Sequence, residues 1–381
     1  MHFALLNMQE ALFEFVSSLN LEEKVSPRKN PEIIWFYIFF PVFVAYVWVL
    51  STYINLKPNI GSIEVFDPQF QQLLYPNHRM EVIATGLSWA EGPLWINDES
   101  AGISYLMFTD CIKNRIYKWE DGKGFFTVGK SIHSDKSGCL NDEYCEPLSF
   151  PGPNGLLRKD STSLDLIVCQ HGERAISLFR ENGTISPIAT HYKGKRLNSP
   201  NDLVYSPDGH LYFTDPPYGL YGKNRTLIVE PELPISGVYL IPHDFLQNSL
   251  QLGEPTASVI LLDKSLSRPN GLAFSPDYSK LYVANSDVTN PIIKVFDVAD
   301  TGGLKNSRIF YNFTELQTIE KERARKNLQN CLLSNNSSSC EEEQIGLPDG
   351  LKVDIHGNVF ATGPSGVSVI NQASQLLLQL K

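Results

Sequence analysis

Residues 199–219 read SPNDLVYSPDGHLYFTDPPYG. A Pro/Asn/Asp turn opens the stretch, and a short apolar run (LVY) follows. Ser206-Pro-Asp-Gly makes a second turn, and a second apolar run ends in Phe-Thr-Asp. Short alternating runs bounded by turn residues are the mark of β-strands joined by tight turns. The same order recurs along the chain. It appears in AEGPLWINDESAGISYLMFTD from Ala90 and GPNGLLRKDSTSLDLIVCQHGERAISLFRENG from Gly152. It appears again in RPNGLAFSPDYSKLYVANSD from Arg268 and LPDGLKVDIHGNVFATGPSGVSVI from Leu347. Each unit has room for four strands, and insertions separate the units. A four-stranded unit recurring about every 45 residues predicts an all-β propeller rather than a sandwich. The main helical exception is Leu316–Leu328, charged on most sides and expected as a surface insertion.

One polar residue occupies the same place in every unit: Glu91, Asn154, Asn201, Asn270 and Asp349. Taken singly, Asn-Gly and Asp-Gly are ordinary turn dipeptides, and Asp208-Gly209 is read as one. The shared phase sets the five apart. Equivalent positions of successive blades converge on a propeller's central channel. Two carboxylates and two or three amide oxygens would then meet without any His or Cys. Such an oxygen-only set suits a hard cation, Ca²⁺ before Mg²⁺. Two buried carboxylates without a cation would also be costly.

The segments VFDPQF, AEGPLW, CQHGER, RLNSPNDLVYSPDGHLYFTDP, RPNGLAFSPD and LPDGLKVD resemble the gluconolactonase, senescence-marker-protein and luciferin-regenerating-enzyme family, from about residue 64 onward. The resemblance implies a six-bladed β-propeller with one catalytic divalent ion, usually Ca²⁺, with Zn²⁺ or Mn²⁺ as substitutes. It implies Glu91, Asn201, Asn270 and Asp349 as metal ligands, with Asp349 also the catalytic general base. Asn201, Asn154 and His171 (of CQHG) are the implied substrate contacts, and the implied reaction is the opening of a lactone. The expected pattern departs from the family at its end. Five repeats are visible, so the sixth blade is expected to be missing or truncated, with residues 61–85 able to supply one closing strand. No G-x-S-x-G elbow supports a covalent serine route. Two alternatives stay open: the same metal propeller acting on organophosphate or aryl esters, or a non-catalytic, membrane-tethered calcium-binding propeller. Walls of the pocket are expected from the Tyr218–Tyr221 loop.

Before the repeats, Ile33–Leu50 (IIWFYIFFPVFVAYVWVL) carries no charge, and the apolar run extends to Ile54. That length suits a membrane span, with Trp35 and Trp48 near its ends. A buried core helix is the competing reading, and a cleaved signal peptide fits less well. Lys24, Arg28 and Lys29 precede the run, which predicts a cytosolic N-terminal tail (1–32), an anchor (33–54) and a lumenal or extracellular propeller (60–381). Sequons at Asn182, Asn224, Asn312, Asn335 and Asn336 agree with that compartment. So do the closely spaced pairs Cys139/Cys145 and Cys331/Cys340, read as loop disulfides. Cys111 and Cys169 are expected as small buried hydrophobes. With 42% hydrophobic residues the chain can fill a core, and a net charge of −10 argues against a nucleic-acid partner.

Overall fold

The computed structural model describes residues 61–381, apart from the short segments 69–70, 72–73, 75–79, 99–101, 129–137, 162, 256–257, 334–339 and 341–342. The expected tail (1–32) and anchor (33–54) lie outside the described residues, as do sequon residues Asn335 and Asn336. Among the described residues no helix is long and apolar enough to cross a membrane. Ile60–Lys381 forms one compact unit.

Five antiparallel sheets follow the five sequence repeats. Blade 1 has strands Ala90–Asp98, Ile103–Asp110, Arg115–Glu120 and Gly124–Thr127. Blade 2 has Pro153–Arg158, Leu166–Gln170, Ala175–Phe179 and Ile185–Ala189. Blade 3 has Leu203–Tyr205, Leu211–Asp215, Gly237–Ile241 and Ile260–Asp263. Blade 4 has Pro269–Phe274, Lys280–Asn285, Ile292–Val298 and Leu304–Asn312. Blade 5 has Leu351–Val353, Val359–Gly363, Gly366–Ile370 and Leu376–Leu380. Ile63–Val65 pairs with Leu376–Leu380 as a fifth strand, the closing strand expected from residues 61–85. Among the described residues there are five blades, as the five repeats predict, and a sixth blade of the kind the resemblance implies is not among them.

Alternation along the strands explains why the blades stack. In a strand, neighbouring side chains point to opposite faces. Ile167 and Cys169 pack on Leu211, Phe213 and Tyr239 of blade 3, while Leu166 and Val168 pack on Ile96, Tyr105 and Met107 of blade 1. Tyr212 and Leu240 meet Leu281 and Val283 of blade 4, whose Tyr282 and Ala284 meet Val359 and Ala361 of blade 5. One apolar cluster therefore fills each successive interface, so the runs read as apolar on both faces. Cys169 sits in this core as expected. Cys111 is buried too, but in the turn after the second strand of blade 1, where its thiol donates to the Pro153 carbonyl at 2.9 Å.

The predicted insertion helix is longer than expected, Thr314–Leu333, and buries Gln317, Glu320 and Ala324. Cys331 near its end bridges Cys340, and Cys139 bridges Cys145, the two pairings read from the spacing.

Candidate functional site

The site residues lie in the first strand of blades 1, 2 and 4 and two residues ahead of it in blades 3 and 5, and in the first group a shared irregularity aims them. The pairing of the first two strands slips by one residue between Glu91 and Leu94, between Pro153 and Leu156, and between Pro269 and Leu272. Each slip is a β-bulge, which bends the strand and redirects a side chain. Glu91, Asn154 and Asn270 lie at these bulges.

The residue after each site residue explains the Gly of the PNG, PDG and EGP turns. A Cβ on Gly92 would sit 2.2 Å from the Asn154 carbonyl oxygen, one on Gly155 2.7 Å from that of Asn201, and one on Gly271 2.5 Å from that of Asp349. Each glycine thus lets its strand approach the site residue of the next blade. Gly350, in the last blade, faces nothing within 4 Å. In blade 3 the same position is Asp202, the residue the sequence reading missed. The signal was available as PND where the other repeats have PNG or PDG. One Asp202 oxygen accepts from Leu272 N at 3.3 Å, and Lys352 Nζ lies 3.7 Å away.

Carboxylates of the first and last blades act on each other. Burial raises the Glu91 pKa, the nearby Asp349 charge raises it further, and Asp202 adds to both effects; the Trp89 hydrogen bond and Lys352 oppose them. Trp89 Nε1 donates to Glu91 Oε1 at 2.8 Å. Asp349 is also raised, first by burial and then by Asp202, against a hydrogen bond from the Asn270 side chain. Asn270 Nδ2 donates to Ser286 Oγ at 3.0 Å. Asn154, Asn201 and Asn270 are buried, whereas Glu91 and Asp349 keep part of their surface open.

His171 does not line an open surface. Its ring is 2% exposed, and Nε2 lies 3.3 Å from Asn154 Nδ2. Burial pushes its pKa down to about 4, so it is neutral at neutral pH. The Tyr218–Tyr221 loop forms a wall beside Asn270. Tyr218 donates to the Ser286 carbonyl at 3.3 Å, and Arg268 donates from Nη2 to Tyr221 Oη at 2.8 Å while lying against both rings. Burial pushes the Tyr218 phenol up to about 12, so it remains protonated.

The donors fit a hard divalent cation. Among the described residues no group of three or more His, Cys, Asp or Glu is gathered as a ligand cluster. The set is instead two carboxylates and three amide side chains at the blade openings, and burial, with the charge of a neighbouring carboxylate, holds both carboxylates above their ordinary range. A divalent ion would relieve that penalty.

The repeated blades define the class of protein, and the comparisons identify its family. The chain belongs to the SMP-30/Gluconolactonase/LRE-like family, whose model matches residues 89–379. A gluconolactonase of Zymomonas mobilis is 35% identical over 314 residues, 81% of this chain and 74% of its own. A solved gluconolactonase structure from Xanthomonas campestris is 26% identical with a TM-score of 0.60, over 85% of this chain and 87% of that one. The expectation of an enzyme of the lactonase type is upheld by this membership.

Proposed function

We propose that the chain opens sugar-acid lactones at a divalent-cation centre, with calcium the preferred ion. The observation that carries this reading is that Glu91 and Asp349, from the two ends of the blade series, are close enough for the Asp349 charge to raise Glu91, while the Asn270 side chain hydrogen-bonds Asp349. Glu91, Asn201, Asn270 and Asp349 would hold the ion. When bound, the ion supplies Lewis acidity toward the lactone carbonyl.

The chain's own residues do the rest. Asp349 accepts a proton from the attacking water and returns it to the ring oxygen as the C–O bond breaks, leaving a hydroxy acid. Desolvation raises its basicity, which offsets the depression that a neighbouring cation would impose. His171 acts through Asn154: with Nε2 accepting from the Asn154 amide nitrogen, the amide oxygen is left for the ligand. Asn201 orients the substrate from the adjacent blade. Tyr218, Tyr221 and Arg268 form a wall of aromatic faces and hydrogen-bond donors suited to a hydroxylated ring. Hydrolysis of glucono-δ-lactone by the purified chain, with calcium and then with EDTA, tests the reading. Turnover that survives EDTA would refute the metal, and no turnover from folded, calcium-loaded protein would refute the substrate class.

We further propose that residues 33–54 anchor the chain and that the propeller faces the lumen or exterior. Asn182, Asn224 and Asn312 are exposed, as glycan acceptors must be. Glycosidase treatment of protein from a secretory-pathway host should lower its apparent mass; an unchanged mass contradicts this topology.

A further inference from the structure

We infer that Thr109-Asp110, Thr214-Asp215 and Asn285-Ser286, at the ends of second strands, are positioning residues that fix the spacing between site residues of neighbouring blades. The inference rests on the proposed function for its consequence, but not for its geometry.

The acid or amide of each pair clamps its own blade. Asp110 Oδ2 accepts from Ser88 N at 2.7 Å and Oδ1 from Trp89 N at 3.2 Å, just ahead of Glu91. Asp215 Oδ2 accepts from Asn198 N at 2.8 Å, three residues before Asn201. Asn285 Oδ1 accepts from Arg268 N at 2.9 Å, two residues before Asn270. These three side chains are fully buried. The backbone entering each site residue is thus held by the end of the adjacent strand.

The second contact crosses the blade interface. Thr109 Oγ1 donates to the Asn154 carbonyl at 3.1 Å, and Thr214 Oγ1 donates to the Asn270 carbonyl at 2.8 Å. At the two intervening interfaces a glycine amide does this work: Gly155 N donates to the Asn201 carbonyl at 2.8 Å and Gly271 N to the Asp349 carbonyl at 3.1 Å. Every site-residue carbonyl of blades 2 to 5 is therefore held by a donor from the preceding blade. In blade 4, Ser286 accepts from the Asn270 amide and donates to the Pro348 carbonyl, so it reaches both Asn270 and the residue before Asp349. The two threonines are fully buried, where valine would pack equally well. The hydroxyl is what the site requires.

The test compares Thr214→Val, which keeps the shape and removes both the donor to the Asn270 carbonyl and the acceptor for Asp202 N at 3.2 Å, with Thr214→Ser, which restores them. Tyr212→Phe is the control, because it removes another buried bond to a carbonyl, that of Gly302 at 2.6 Å, at the outer end of the propeller. Calcium titration calorimetry on the full chain should show Thr214→Val weakened by about tenfold, Thr214→Ser close to wild type, and Tyr212→Phe unchanged in affinity though less stable. The ¹⁵N side-chain amide signal of Asn270, assigned with Asn270→Ala, should move in metal-free Thr214→Val and stay in place in Tyr212→Phe. Wild-type affinity in Thr214→Val together with an unmoved Asn270 signal would overturn the inference. If wild type binds no calcium, the proposed function fails, and the metal-free Asn270 signal alone decides the positioning claim.

Discussion

Replacing Gly271 with alanine perturbs the contact between blades 4 and 5 where it bears on Asp349. The added Cβ would lie 2.5 Å from the Asp349 carbonyl oxygen, 2.6 Å from Leu351 N and 2.8 Å from Gly350 Cα. All three are backbone atoms, so no side chain can swing aside. Reaching ordinary contact requires the two strands to part by about 0.9 Å, which overpacks the interface at a cost of roughly 1–3 kcal/mol. The Asp349 carboxylate moves with its backbone, away from Asn270. Misplacing a reacting group by about 1 Å costs on the order of 10²-fold in rate, or about 2.7 kcal/mol of transition-state stabilisation. The expected result is a folded protein with a lowered melting temperature, weakened calcium binding and kcat/KM reduced by about 10²-fold. Lactone kinetics and calcium titration on the same preparation measure both. A folded Gly271→Ala protein with both values within about twofold of wild type would refute the claim that this contact sets the site.

Gly350 occupies the same phase in blade 5 and faces open space. Gly350→Ala should therefore be tolerated, gaining about 0.4–1 kcal/mol in thermal unfolding by restricting the unfolded chain; strong destabilisation would mean another blade packs there. Calcium binding should release protons, because Glu91 and Asp349 are held above the ordinary carboxylate range in its absence. Affinity should then rise with pH across the raised range, and calorimetry in two buffers of different ionisation enthalpy should differ; identical heats would contradict it. Asp215, fully buried, is pushed up to about 7 by burial, against backbone hydrogen bonds from Asn198 and Ser199 and the Arg174 charge. A raised acid favours folding while protonated and loses that contribution as pH climbs from about 4 to about 7, by at most about 4 kcal/mol. Wild type should accordingly lose melting temperature relative to Asp215→Asn between pH 5 and pH 8; parallel curves would contradict the shift.

The repeats were legible because short apolar runs of strand length recur between turn dipeptides in the same order in every blade. The site was legible by phase, since Glu91, Asn154, Asn201, Asn270 and Asp349 share one position per unit. Asp202 escaped because a carboxylate after Asn reads as one more turn residue, although PND stands where the other repeats carry a glycine. Thr109, Thr214 and Ser286 escaped for a related reason. A buried hydroxyl in an apolar strand looks like any strand residue until the carbonyl it serves, 45 residues away for Thr109 and 56 for Thr214, is in view. The sequence offers His171 as a candidate substrate contact, but it could not show that the side chain is buried against Asn154. The helix Thr314–Leu333 extends beyond both expected ends, starting before Leu316 and ending after Leu328.

Calcium titration of wild type, Glu91→Gln and Asp349→Asn tests the central claim most directly. The two residues come from opposite ends of the blade series, and the account makes them ligands of one ion. It predicts a single site in wild type and loss of that same binding event in each variant, with the fold intact by circular dichroism. Binding that survives in either folded variant would contradict it.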